Sequence, residues 1–132
     1  MVVLGQEPTD AAIIKSFEKN RTNFEALVQQ CMKSDWSSLG LDWVSPSQQV
    51  EKDDLKGIRE NMKRLSITAI TKTTYGGKIL FTIYGPGRSL NGLIKGVMFT
   101  QSPVETIDRE TSSVPRGTYR RIRENWFIYR HP

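Results

Sequence analysis

The stretch "LSITAITKTTYGGKILFTIY", residues 65–84, decides the fold class. Upstream of it, apolar residues recur every three or four positions; from Leu65 onward they recur every second position. The first spacing belongs to one face of a helix and the second to one face of a strand. "LSITAITKT" is alternating and β-branched, "TYGGK" carries the glycines of a hairpin turn, and "KILFTIY" reads as the returning strand.

Toward the N-terminus, residues 1–9 read as a tail and 10–132 as a single domain. "TDAAIIKSFEKNRTNFEALVQQCMKSD" places Ile13, Ile14, Phe17, Phe24, Leu27, Val28 and Cys31 on one stripe. That spacing predicts one helix of about five turns, capped by Thr9 or Asp10. "WSSLGLDWVSPSQQ", rich in Ser, Gly and Pro, predicts a loop. Leu55, Ile58, Met62 and Leu65 predict a second helix over about 51–64. Its first turn holds Asp53 and Asp54 and its last Lys63 and Arg64, as the helix dipole favours.

Toward the C-terminus, "GPGRSLNG" predicts a turn and "LIKGVMFT" a third strand. Residues 101–118 form a long connection, and "YRRIR" and "NWFIYR" predict two strands around a turn at Glu124 and Asn125. The expected class is α+β, with two N-terminal helices packed on one face of a curved antiparallel sheet of about five strands.

"GRSLNGLIKG", residues 87–96, has the glycine spacing of a phosphate loop. Such a loop needs Lys and Ser or Thr directly after its second glycine and must open a helix. Here Leu93 and Ile94 follow Gly92 and the segment is strand-like, so it reads as a turn and a strand.

Composition excludes other classes. An apolar share of 37% and a charged share of 25% describe a folded chain. No run has the length of a membrane helix. "MVVLGQEP" lacks the basic flank and small-residue cleavage site of a secretory signal, which predicts a cytoplasmic protein; an envelope location is the alternative, had a leader been removed. One cysteine, Cys31, allows no internal disulfide and lies on the apolar stripe, where a thiol is inert. The single histidine, His131, stands next to the last residue, an unsuitable place for a catalytic base. No spacing of ligands predicts a metal, and nothing implies a cofactor. Asp35, Asp42, Glu51, Asp53 and Asp54 lie close in sequence, but loop solvation and helix capping account for them.

Two features invite function. The segment "RGTYRRIRENWFIYRH" interleaves arginines with aromatics. Arg116, Tyr119, Arg120, Arg121, Arg123, Phe127 and Tyr129, joined by Tyr84, form a candidate partner-binding surface. A protein partner or a second copy of the chain ranks above nucleic acid, whose phosphates and bases the same residue types also suit. The plainer account has the aromatics in the core and the arginines on a sheet edge. Both faces of the strands are apolar: Ile79, Phe81 and Ile83 oppose Leu80, Thr82 and Tyr84, and Trp126 and Ile128 oppose Phe127 and Tyr129. Two helices cover one face, so the other needs a partner, the long connection or its own curvature. The second feature is a candidate pocket at Trp36, Trp43 and Trp126, between sheet and helices, for a small apolar ligand.

The fragments "FEKNRTNFEALV", "SLNGLIKGVMF" and "YRRIRENWFIY" resemble a loose group of small uncharacterised bacterial proteins, many with a lipoprotein-type leader. The resemblance runs from Phe17 to Tyr129. It implies a bacterial source and an envelope location, and it supplies no catalytic residue. The sequence therefore favours a non-enzymatic binding or interaction protein, with a small-molecule-binding or enzymatic domain as the alternative and nucleic-acid binding third.

Overall fold

A computed structural model describes residues 7–34, 36–45, 52–73, 77–85, 93–101 and 118–131. Among these residues, three helices precede most of a seven-stranded antiparallel sheet that does not close on itself. The helices are α1 (Asp10–Lys19), α2 (Arg21–Met32) and α3 (Lys52–Arg64). The strands are β1 (Ser38–Gly40), β2 (Val44–Ser45), β3 (Ala69–Lys72), β4 (Lys78–Tyr84), β5 (Ile94–Thr100), β6 (Thr118–Arg123) and β7 (Trp126–His131). Their order across the sheet is β2-β1-β3-β4-β5-β7-β6. The α+β class stands, with a larger sheet than expected.

The expected single N-terminal helix is two. Asn20 leaves the helical region at φ −114° and ψ 21°, and its side-chain amide donates to the Ser16 carbonyl. Asparagine competes well for backbone partners in this way, which ends α1 and starts α2. The apolar spacing hides the break because Phe17 and Phe24 both remain buried against Trp126, at 4.9 and 6.0 Å between ring centroids.

The expected loop after α2 contains β1 and β2. Leu39 is fully buried, and the Trp43 ring lies where a Gly40 Cβ would be, so a larger residue there would have to push the indole aside. Arg59 of α3 donates to the carbonyls of Gly40 and Trp43 and holds this edge hairpin down. Such short strands leave too little alternation to read. Helix α3 ends as a Schellman-type turn: Ile67 N–H donates to Met62 O at 2.8 Å across Ser66, whose φ is 61°.

The helices bury one sheet face. Ile13, Phe17, Phe24, Leu27, Val28, Cys31, Leu55, Ile58 and Met62 meet Leu39, Ile70, Ile79, Phe81, Val97, Trp126 and Ile128. Lys72 of β3 reaches the far end of α2, donating to the carbonyls of Cys31 and Ser34 at 3.0 and 2.6 Å with its ammonium over the Trp36 ring. A cation suits the negative end of a helix. On the other sheet face Met98, Phe127 and Tyr129 form a second cluster, flanked by Leu80, Ile94 and Tyr119. All three are buried within the single chain.

Residues 7–9, the end of the expected tail, are tied to the sheet. Lys95 of β5, only 6% exposed, pairs with Asp10 at 2.7 Å and donates to Pro8 O at 2.8 Å. Glu7 pairs with Arg130 and lies 3.8 Å from Lys95. Thr9 Oγ1 accepts from Ala12 N–H and caps α1, as expected.

Burial pushes the Cys31 thiol up to about 12, although the Lys72 charge opposes the shift. The native protein should therefore resist a thiol reagent that modifies the unfolded chain fully. A folded value above the unfolded one also means that this group's contribution to stability holds below pH ~8.5 and fades as pH rises past it. Rapid labelling of the native protein at neutral pH would contradict this placement.

Candidate functional site

The C-terminal hairpin is largely engaged with its own chain. Tyr84, Phe127 and Tyr129 are buried, and Tyr129 shares a 2.7 Å hydrogen bond with Thr82. Arg120 and Arg123 point to the helical side of the sheet and pair with Asp10 and Glu18 of α1, each at 3.2 Å. Arg121 lies on the other side, 5.5 Å from the Phe127 ring, and is exposed. Tyr119 is half-buried, edge-on to His131. Arg116 lies outside the described residues, as do the glycines Gly87 and Gly92 and most of the 101–118 connection.

The three tryptophans stand at separate places along the sheet. Trp36 is buried just before β1 and Trp43 is 47% exposed beside β2, whereas Trp126 opens β7. Four strand spacings, about 19 Å, separate β1 from β7. Trp126 instead sits among Phe17, Phe24, Phe81 and Phe99.

Trp126 does border a groove of about 530 Å³ between α2 and one end of the sheet. Thr22, Glu25, Ala26 and Gln29 supply one wall, at the three- and four-residue steps that put them along one side of α2. Val28, Phe99 and Trp126 form the apolar floor, and Glu124 and Asn125 of the β6–β7 turn form the opposite wall. That turn is pinned to the end of β5: Asn125 Nδ2 donates to Thr100 O at 2.8 Å and Thr100 N–H donates back to Asn125 O at 3.0 Å. Glu124 adopts φ 32°, a conformation that tight hairpin turns normally give to Asn or Gly.

Electrically the groove is the reverse of the molecule. The chain carries a net charge of +5, yet among the described residues the groove's charged lining is Glu25 and Glu124. Glu25 also holds Arg21 at 3.0 Å in an exposed pair one helical turn apart. Such pairs are worth only ~0.3–0.5 kcal/mol, so the carboxylate exchanges partners easily. Among the described residues no three metal-ligating side chains come together. No described helix is long and apolar enough to cross a membrane.

Sequence reasoning found Trp126 but missed the rest of the groove. Thr22, Glu25, Ala26 and Gln29 form the polar side of an amphipathic helix, which reads as ordinary solvation. Only the docking of that side beside Phe99 and the β6–β7 turn makes it a wall. No family model, curated protein or solved structure matches the chain, so the groove is read from its own geometry.

Proposed function

We propose that the protein is a non-enzymatic binding domain that takes a small amphipathic molecule into the groove between α2 and the β6–β7 turn. The observation that carries this reading is the groove itself. Its volume of about 530 Å³ falls in the range of ligand sites, and an apolar floor with a few polar side chains at the walls is their usual make-up. The reading ranks above a partner surface on the C-terminal hairpin because Tyr84, Phe127 and Tyr129 are buried and Arg120 and Arg123 are engaged with α1.

A thermal-shift screen with small amphipathic compounds tests it, since a ligand that binds only the native state raises the melting temperature. Ala26 is exposed on α2 and lines the groove, so Ala26→Trp fills the space without entering the core. The expected result is a shift for the parent protein that the Ala26→Trp variant loses while still folding. No shift with any compound, or an undiminished shift in the variant, would overturn the reading.

A further inference from the structure

We infer that the ligand of this groove is an organic cation: a small hydrophobic amine or quaternary ammonium ion. The inference rests on the proposed binding role and adds the charge of what binds. Two features point the same way. First, among the described residues both charged side chains lining the groove are carboxylates, one on each wall, although the chain as a whole is basic. A positively charged molecule finds complementary charge at Glu124, and at Glu25 once that carboxylate exchanges its exposed Arg21 partner; an anion is repelled by Glu124.

Second, the floor is aromatic. Phe99 and Trp126 meet edge to face at 5.1 Å, and both border the groove. Aromatic rings favour a cation partly stripped of water, and an ammonium carrying carbon substituents is stripped more readily than a metal ion. Val28 and Ala26 extend the apolar surface for those carbons. The neutral polar groups do not set the charge: Thr22 and Gln29 carry oxygens that can accept from an ammonium N–H, and they can equally donate.

The positioning of Glu124 is structurally awkward, and its turn would accept asparagine more easily. That makes it a useful probe, because its effects on the fold and on binding are expected to run in opposite directions.

The test is a calorimetric or NMR titration with three molecules of one shape: 3-phenylpropylamine, 3-phenylpropanol and 3-phenylpropanoate. The amine should bind about tenfold more tightly than the alcohol, and the carboxylate should bind most weakly. Glu124→Gln should weaken the amine about three- to tenfold and leave the alcohol unchanged, with added salt acting in the same sense. Glu124→Asn should do the same while raising or preserving the melting temperature. An alcohol that binds as well as the amine overturns the charge assignment and leaves the groove reading intact. Failure of all three molecules to bind overturns both. An amine whose affinity is unmoved by Glu124→Gln, Glu25→Gln and Ala26→Trp binds elsewhere and overturns the assignment.

Discussion

Gly96→Ala should destabilise the protein by about 3 kcal/mol or more, a large effect for one methyl group. Gly96 lies in β5, in register with Thr82 of β4 and Tyr129 of β7. A Cβ there would stand 2.0 Å from the Phe81 carbonyl oxygen and 3.0 Å from the Thr82 Cα. Both obstacles are backbone, so no side-chain rotation relieves the clash. The central strands would have to part, next to the irregularity that β4 already shows between Thr82 and Tyr84. The buried hydrogen bond between Thr82 and Tyr129 spans the row that Gly96 occupies, and losing it leaves two hydroxyls without partners. Gly57 supplies the opposite control. It lies in α3 with nothing within 4 Å of its Cβ position, so Gly57→Ala should stabilise by ~0.5–1 kcal/mol. Denaturant midpoints measure both. A Gly96→Ala variant within 1 kcal/mol of its parent would mean that β4 and β5 are not packed as described.

Asp10→Ala should cost about 2–3 kcal/mol, whereas Lys95→Met should cost clearly less. The asymmetry follows from burial. Lys95 is almost wholly enclosed, and its nearest charge is the Asp10 carboxylate at 2.7 Å; Glu7, at 3.8 Å, is more distant. Removing Asp10 leaves an enclosed ammonium poorly compensated. Removing the ammonium leaves a carboxylate that is already about one-third exposed and still paired with Arg120. The Lys95 hydrogen bond holds the Asp10 carboxyl below its ordinary range, with Arg120 helping and partial burial opposing. A folded value below the unfolded one means that this stability is complete above about pH 4 and is lost as acid protonates the carboxylate. Acid titration of stability should thus show a smaller loss below pH 4 in Asp10→Ala than in the parent. Equal slopes in the two proteins would place the ion pair's contribution near zero.

Much of this architecture is legible in residue spacing. "KILFTIY" coincides with β4, and the turn at Glu124 and Asn125 falls where the sequence puts it. Both succeed because long alternating runs next to turn residues leave few other arrangements. The hairpin of β1 and β2 fails that test: its strands have three and two residues, and Trp43 and Arg59 hold it through contacts distant in sequence. The break at Asn20 is legible only in hindsight, since the apolar stripe runs through it. The expectation that both sheet faces carry apolar side chains holds for Met98, Phe127 and Tyr129, yet these residues are enclosed rather than displayed. Burial on that face depends on chain path, which alternation does not encode. For the same reason the groove could not be read: its walls come from a helix side that spacing marks as solvent-facing and from a turn some hundred residues away.

The clasp between Glu7 and Arg130, with Pro8 and Asp10 held by Lys95, has a bearing on how the molecule is made. Helix α1 leaves the ribosome about a hundred residues before the strands it rests on, with Phe17 against Trp126 and Glu18 against Arg123. Until β7 has emerged, α1 has only its contact with α2, Phe17 against Phe24, and much of its apolar stripe stays exposed. This domain cannot finish assembling before β7 is made, so the risk of aggregation persists until that strand has emerged.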